Sequence, residues 1–273
     1  MPSRRLIAAR LAGTTALILA CMFRPFMPGS YDPFAVALSG LAQIVGLSAV
    51  LFVPLGLAWI LFGSRHGFAF AIAAVAAASI VAAFASFVAL IGVGPSLAAA
   101  WTALWLYAVW RTVGALKRSR QTAFGHAPLY LVIIPAMVAL AQFMFLGRAV
   151  GMSRDLGMRN SAPMLEAIER YRSAHGRYPA SLQALHSDYD PEIVGVDRYH
   201  YQPNGEGYDL YFEQLSNRFG TREIVMYNPR DEQLFPSHDS DILEWTREQL
   251  RARRGYYAVH DAARPHWKYF WYD

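Results

Sequence analysis

The stretch "AIERYRSAHGRYPASLQAL", residues 167–185, carries the signals of a helix and of its end. Ile168 and Tyr171 recur at helical spacing and predict an apolar face that points into a core. Gly176 suits the left-handed position that terminates helices, and Pro179 prevents the helix from continuing. The stretch therefore predicts a helix that stops at a tight turn. We expect each of its residues to have a structural rather than a catalytic role.

Both flanks of this turn extend the pattern. Upstream, Asn160 or Ser161 is suited to cap the start of the helix, and Pro163 fits its first turn. Downstream, Leu182 and Leu185 predict one or two further helical turns that continue the same apolar face. The whole segment predicts a helix, a turn and a second short helix.

Strand signals follow this helical segment. "RYHYQ" (198–202) and "YDLYFEQ" (208–214) alternate aromatic or apolar with polar residues, which is typical of half-buried strands. The turn formers "PNGEG" (203–207) between them predict a hairpin. "EIVMYN" (223–228) predicts a third strand, closed by "PRDEQ" (229–233).

A second helix and an aromatic tail complete this part of the chain. "DSDILEWTREQLRAR" (239–253) is amphipathic, and Asp241 with Glu244 fits a capping box. The tail "HWKYFWYD" (266–273) suits a last strand whose alternate residues fill the core. The competing interpretations are a partner-binding strand, a sugar-stacking face and an anchor at the membrane interface. We expect residues 150–273 to form a soluble α+β domain, a helix plus a small antiparallel sheet.

Residues 1–149 predict a multi-pass α-helical membrane domain. Five stretches are apolar over about the 20 residues that a spanning helix needs, so we expect the lipid bilayer to surround them. The second stretch contains Pro54, where we expect tilt or a kink. The five stretches cover about residues 6–23, 35–62, 68–91, 96–113 and 128–147.

Charged residues are distributed unevenly between the two regions. Residues 1–150 contain ten Lys and Arg and one carboxylate, a net charge of +9, whereas residues 151–273 contain fifteen and nineteen, a net charge of −4. The overall charge of +5 is therefore a matter of membrane topology and does not indicate a nucleic-acid partner. Because Cys21 is the single cysteine, an intramolecular disulfide and a Cys-rich zinc site are excluded.

The short loops predict the orientation of the chain. If the N-terminus is cytoplasmic, Arg24 faces outward and eight other cations face the cytoplasm, as the positive-inside rule requires. With five spans, the C-terminal domain then lies outside the cytoplasm. We therefore expect a bacterial inner-membrane protein with a periplasmic domain at 150–273. The eight cations are Arg4, Arg5, Arg10, Arg65, Arg111, Lys117, Arg118 and Arg120.

Two interpretations stay open for "LILAC" (17–21). The stretch resembles a bacterial lipoprotein signal, in which the cysteine, here Cys21, is lipidated after cleavage in front of it. Otherwise Cys21 is a buried free cysteine in an ordinary first span. Both interpretations place the C-terminal domain on the same side of the membrane.

The helix that ends in "AIERYRSAHGRYPASLQAL" and the following "GYDLYFE" resemble the type IV pilin and type II secretion major pseudopilin superfamily. The resemblance covers about residues 163–214, and Arg177, Tyr178 and Pro179 are its specific part. It implies a helix ending near this turn, a short helix, and a small antiparallel sheet packed against them. It also implies envelope or pilin-like proteins as partners.

The fifth span departs from that family. Family members begin the mature chain with a phenylalanine and carry a glutamate five residues in, whereas this span begins "GHAPLYLVIIP" (125–135) and contains no glutamate. We therefore expect neither prepilin processing nor release into a filament, because several spans would have to leave the bilayer. Gly157 and Pro163 further predict that the long family helix is interrupted.

Signals for chemistry are few. The sequence has no H-E-x-x-H, G-x-S-x-G, Walker A or dinucleotide-binding glycine pattern, so it predicts no catalytic residue, cofactor or metal site. Major pseudopilins hold calcium near their C-terminal end, and the resemblance makes His238, Asp239, Asp241 and Glu244 the competing candidate. The capping box already accounts for Asp241 and Glu244.

The sequence thus favours a non-catalytic membrane protein that presents a pilin-like domain to other proteins, in a secretion or pilus-type envelope assembly. Two alternatives stay open. A carrier or enzyme for a lipid-like or neutral substrate predicts a cavity lined by Gln43, Gln142 or the tryptophans of the fourth span. A membrane-anchored ligand sensor predicts no particular pocket. The tryptophans are Trp101, Trp105 and Trp110.

Overall fold

The computed structural model describes residues 3–92, 94–118, 126–185, 188–218, 220–233 and 259–272. It divides the chain into two units, Met1–Phe23 with Pro33–Phe145 and Arg24–Asp32 with Leu146–Asp273. The second unit thus includes Arg24–Asp32, the short segment after the first helix. Composition alone assigns this segment to the membrane region. The helix predicted at 239–253 lies outside the described residues.

The first unit is helical. Its helices cover the five apolar stretches; the second stretch is divided between Pro33–Leu47 and the first arm of the long helix Ala49–Gly92, and the third lies in the second arm of that helix. Three helices have the length and composition to cross a membrane, namely Arg4–Phe26, Arg65–Ile91 and Ala127–His175. The helices are α1 (Arg4–Phe23), α2 (Pro33–Leu47), α3 (Ala49–Gly92), α4 (Pro95–Arg118) and α5 (Ala127–Ala141).

The second predicted span is bent. Helices Pro33–Leu47 and Ala49–Gly63 meet at 46° and add a fourth crossing if they act together. A bend is therefore present in the stretch where we expected tilt or a kink, but it lies at Ser48, and Pro54 stays inside α3. The Ser48 hydroxyl donates to the Val45 carbonyl at 2.7 Å, a bond that competes with regular helix geometry.

Helix α3 changes direction at His66. This residue has non-helical angles, φ −126° and ψ 20°. The rings of Trp59 and Phe70 stack with centroids 6.4 Å apart, whereas a straight helix would separate these two Cα atoms by about 16 Å. The two arms of α3 therefore fold back at His66, next to Arg65, where the second and third spans were predicted to meet.

The described part of the second unit combines two helices with one sheet. A 3₁₀ turn, Leu182–Leu185, follows the helices, and the antiparallel strands lie in the order β1-β2-β3-β5-β4. The predicted class of helices plus a small antiparallel sheet is confirmed. The elements are α6 (Gly147–Asn160), α7 (Ala162–His175), β1 (His200–Asn204), β2 (Gly207–Leu215), β3 (Arg222–Tyr227), β4 (His260–Asp261) and β5 (Trp267–Tyr272).

The helix is interrupted between Gly157 and Pro163, the two residues that predicted an interruption, but the break is not at Gly157 itself. Gly157 lies inside α6 because the ring of Phe212 packs against it; a methyl carbon at position 157 would lie 2.5 Å from the ring Cζ. The junction with α7 falls at Ser161. Ser161 also does not cap α7 with its side chain, since its hydroxyl donates to the Met158 carbonyl at 2.9 Å. Close packing thus keeps Gly157 in a helix, although its low helix propensity alone suggested a break there.

We predict opposite effects for two glycines of α6. Gly157→Ala should lower the free energy of unfolding of the second unit by about 1–3 kcal/mol, because the buried Phe212 ring cannot move away. Gly151→Ala is the matched control; its methyl group meets no atom within 4 Å, so better helix propensity should stabilise by about 0.5–1 kcal/mol. Amide hydrogen exchange of β2 and β3 in the full chain measures both, and equal effects would contradict the packing argument.

The core of the second unit lies between its helices and one face of the sheet. Met164 and Ile168 of α7 contact the core together with Phe212 of β2 and Trp267 of β5. Burial of Trp267 supports the interpretation in which alternate residues of the aromatic tail fill the core. Tyr171, expected to face this core, is instead half-exposed and stacks on His175 with centroids 4.1 Å apart.

Candidate functional site

The Arg-Tyr-Pro turn begins where α7 ends. Gly176 has φ +73°, the left-handed conformation that glycine adopts without strain, and its N–H donates to the Arg172 carbonyl at 2.8 Å. The hydroxyl of Tyr178 accepts a hydrogen bond from the Arg172 guanidinium at 2.7 Å and donates to Glu169 at 3.3 Å. Tyr178 therefore ties the turn back to the last turns of α7.

The same turn is fixed to the sheet. The ring of Tyr178 meets Tyr208 edge to face, with centroids 4.9 Å apart. Pro179 is buried, and its carbonyl accepts a hydrogen bond from the Tyr201 hydroxyl at 2.8 Å. Tyr178 and Pro179 are thus structural residues, consistent with the role that the sequence assigns to them.

Arg177 differs from its two neighbours. Its side chain is exposed, and it forms no hydrogen bond, ion pair or ring contact with another described residue. The expectation that every residue of the motif has a structural role therefore fails at Arg177. A guanidinium held at a rigid turn and not paired is available to an external group.

The segment Arg24–Asp32 pairs with residues 192–195. The N–H groups of Gly29 and Asp32 donate to the carbonyls of Glu192 and Val194, both at 2.9 Å. In the other direction, Val194 donates to Met27 at 3.1 Å, and Gly195 donates to Pro25 at 2.7 Å. We call Arg24–Asp32 the first-loop strap. It completes the second unit by an antiparallel pairing that the sequence did not reveal.

Two glycines allow this close approach. At Gly195 a methyl carbon would lie 2.7 Å from the Pro25 carbonyl oxygen and 2.8 Å from the Pro25 Cβ. Gly29 has φ +143°, which favours glycine, and a methyl carbon added there would lie 3.0 Å from the Val194 side chain. Ile193, next to this contact, is fully buried, so the strap covers part of the unit's interior.

A buried ion pair joins α6 to the sheet. Arg154 donates two hydrogen bonds of 2.8 Å to the two carboxylate oxygens of Glu223, whose side chain is 0% exposed. Gln214 donates to the same carboxylate at 2.8 Å and accepts from the Ser153 hydroxyl at 2.6 Å. Burial by itself lowers the pKa of Arg154, but the bonds and charge of Glu223 outweigh it, so the pKa is raised. Arg154 therefore stays charged in the folded chain.

Aromatic residues cover this ion pair. The Arg154 guanidinium lies over the Tyr269 ring, 3.4 Å from its centroid, and Arg218 lies 4.1 Å from the centroid of Trp271. His260 stacks on Tyr269 at 5.1 Å and meets Trp271 at 4.8 Å. In the described part of the chain, the buried Nε2 of His260 and Nε1 of Trp271 have no hydrogen-bond partner.

His260 predicts an acid-sensitive contribution to stability. Burial lowers its pKa below the ordinary 6.5, and the charges of Arg218 and Arg154 act in the same direction. The folded chain therefore keeps His260 neutral at pH values where the unfolded chain is already protonated. The free energy of unfolding should fall as the pH drops below about 6.5, because the unfolded state binds more protons.

The variant His260→Phe tests this pH dependence. It should flatten the loss of stability between about pH 6.5 and 5 when unfolding of the full chain is followed across that range. His200, whose pKa burial also lowers, leaves a residual slope of the same sign. His175→Phe, at the exposed end of α7, is the control. An unchanged slope in the His260 variant would contradict the assignment.

The described residues contain no group of three or more His, Cys, Asp or Glu side chains that could hold a metal. Buried Asp209 instead accepts hydrogen bonds from the amides of Asn204 and Asn228, at 3.1 and 2.8 Å. The calcium candidate formed by His238, Asp239, Asp241 and Glu244 lies outside the described residues.

The remaining sequence candidates lie in the helices of the first unit. Cys21 is half-buried near the end of α1, against a cluster that contains Ala42 and Val138. Gln43 is 3% exposed, and Gln142 opens a π-helical turn, Gln142–Leu146. The Trp101 indole donates to the Ala82 carbonyl at 3.3 Å, whereas Trp105 is half-exposed and Trp110 is 70% exposed.

The sequence did not suggest the Arg154–Glu223 network, because its members are 69 positions apart and match no motif. The one available signal was Glu223 itself, a carboxylate at the start of a hydrophobic strand. Comparison with known proteins adds no further assignment: no family model, curated protein or solved structure matches this chain.

Proposed function

We propose that this chain is an inner-membrane protein that holds a pilin-like domain on the periplasmic side, where the domain binds envelope proteins without catalysing a reaction. The observation that carries the proposal is the Arg-Tyr-Pro turn, in which Tyr178 and Pro179 hold Arg177 at the surface without a partner among the described residues. A secretion or pilus-type assembly is the setting that the family resemblance implies.

The distribution of exposed apolar side chains supports a membrane location. Every large hydrophobic residue that is exposed in the described part of the chain lies between Leu6 and Met152. Val50 is 82% exposed and Ile91 is 71% exposed, both on helices of the first unit. Such surfaces are unfavourable in water and match the apolar environment that spanning helices require.

The order of elements supports the pilin-like interpretation. A helix ends at Gly176, a 3₁₀ turn follows at Leu182–Leu185, and an antiparallel sheet packs against them. This order agrees with what the resemblance implies for about residues 163–214.

The first strand favours binding of a partner at the Arg-Tyr-Pro turn rather than at the open edge of the sheet. β1 is an edge strand, and Pro203 pairs with Tyr208 within it. Because proline has no N–H, the open edge lacks a donor at this position, and proline is a known obstacle to strand addition. Arg177 at the turn remains the better candidate for binding an acidic group of a partner.

A charge reversal tests the proposal. Arg177→Glu should leave the fold unchanged, because the side chain contacts no other described residue. In a deletion strain that has lost secretion or pili, the wild-type gene should restore them and the Arg177→Glu variant should not. Arg170→Glu, on the exposed face of α7, is the matched control. A deletion strain with normal secretion and pili would contradict the proposal, and so would a fully active Arg177→Glu variant.

One observation favours a second candidate, a carrier or enzyme for a neutral or lipid-like substrate. The Oε1 atom of Gln142 is buried and has no hydrogen-bond partner among the described residues, and its π-helical turn is a geometry common at functional sites. A substrate hydroxyl or amide is a suitable donor to it. Gln142→Leu should then abolish transport or turnover of such a substrate while the chain stays folded; unaltered substrate handling would remove this candidate.

A further inference from the structure

We infer that α4, which contains the predicted apolar stretch 96–113 but is not among the three helices with the length and composition to cross a membrane, does cross it, and that an even number of crossings separates the first-loop strap from α6. The inference rests on the proposed membrane location. It does not use the distribution of positive charges, so it is independent of the positive-inside rule.

The first step is that the strap and the C-terminal residues lie on one side of the bilayer. Four backbone hydrogen bonds of 2.7–3.1 Å join Arg24–Asp32 to residues 192–195. Pro25, Phe26 and Ile193 are buried at or beside this pairing. A hydrocarbon layer about 30 Å thick leaves no room for backbone pairing across it. Between Asp32 and Leu146 the chain must therefore cross an even number of times.

The second step counts the crossings that are apparent from length and composition. Arg65–Ile91 provides one, and the helix beginning at Ala127 provides another. The bent pair Pro33–Leu47 and Ala49–Gly63 provides a third, because two helices that meet at 46° continue in the same general direction through the bilayer. Two arms of fifteen residues joined at this angle still span about 41 Å, more than the hydrocarbon core. Three is odd, so one further crossing is needed.

Helix α4 is the remaining helix between Asp32 and Leu146 among the described residues. Its 24 residues correspond to about 36 Å, enough to span the hydrocarbon core. Arg111 lowers its mean hydropathy, but this residue lies near the C-terminal end, where a long side chain can extend to the membrane surface.

Two polar side chains of α4 form hydrogen bonds with α3. The Trp101 indole donates to the Ala82 carbonyl of α3, and the Thr102 hydroxyl lies 3.0 Å from the hydroxyl of Ser86. Elsewhere the helix exposes large apolar side chains, among them Leu104 and Leu106, which are 62% and 61% exposed. An apolar exposed surface with internally bonded polar groups is what lipid requires.

Single-cysteine labelling of the full chain in intact cells tests this inference. Cysteines replace Met27 in the strap, Ser96 in the first turn of α4, Gln121 after α4 and Glu206 in the β1–β2 turn, and the unchanged chain with Cys21 is the blank. A membrane-impermeant maleimide should label positions 27, 96 and 206 from outside. Position 121 should be labelled only after permeabilisation, with at least a tenfold increase in signal.

Each of the other outcomes would contradict one step of the inference. Labelling of position 121 from outside, like position 96, would overturn the crossing of α4. Labelling of positions 27 and 206 from opposite sides would overturn the shared side of the strap and the sheet. If alkaline carbonate extracted the chain from membranes, the proposed membrane location itself would fail, and this result is separate from any labelling pattern.

Discussion

Replacing Glu223 by alanine should lower the free energy of unfolding of the second unit by about 3–5 kcal/mol, the largest effect we expect from a single side chain. The variant leaves the Arg154 guanidinium, whose side chain is 15% exposed, without its carboxylate, and it removes an acceptor from Gln214. Partial access of Arg154 to water places the expected loss near the lower end. Amide hydrogen exchange of β2 and β3 in the full chain measures it.

Two further variants separate burial of charge from loss of packing. Glu213→Ala, on an exposed pair whose charged atoms are 3.9 Å apart, should change the free energy of unfolding by about 0–1 kcal/mol. The double variant Arg154→Met with Glu223→Leu should recover most of the loss, because no unpaired charge remains. A double variant as unstable as Glu223→Ala would contradict the electrostatic explanation.

The next largest effect is expected at Gly195, where Gly195→Ala should destabilise the second unit by about 1–3 kcal/mol. The added methyl group meets the Pro25 carbonyl oxygen and Cβ at 2.7 and 2.8 Å, and a backbone atom cannot rotate away as a side chain can. Amide exchange should accelerate first at Gly29 and Val194, whose N–H groups bond across the pairing.

Gly207→Ala in β2 provides the control for this prediction. Its nearest contact, with the Asn204 carbonyl oxygen, is an ordinary 3.5 Å. It should leave the exchange at Gly29 and Val194 unchanged. If both alanine variants behaved alike, the close approach at Gly195 would not be what fixes the strap.

Local patterns predicted the elements of this protein well. Alternation in 198–214 predicted the β1–β2 hairpin, and Gly176 predicted the end of α7 with the conformation that it adopts. These signals are local because hydrogen bonding and side-chain direction repeat every 2 or 3.6 residues. The bend of the second stretch lies at Ser48 and not at Pro54, and the helix break lies at Ser161 and not at Gly157, because propensity describes an isolated helix and neither residue is isolated.

The sequence by itself determined the apolar helices, the strands, the turn and the charge asymmetry, because each depends on residues close together in the chain. Only the tertiary structure decided that Arg24–Asp32 completes the second unit, that Arg154 meets Glu223, and that Arg177 has no partner among the described residues. These contacts join residues far apart in sequence. Their energies come from steric fit and from burial of charge, and neither leaves a periodic pattern in the chain.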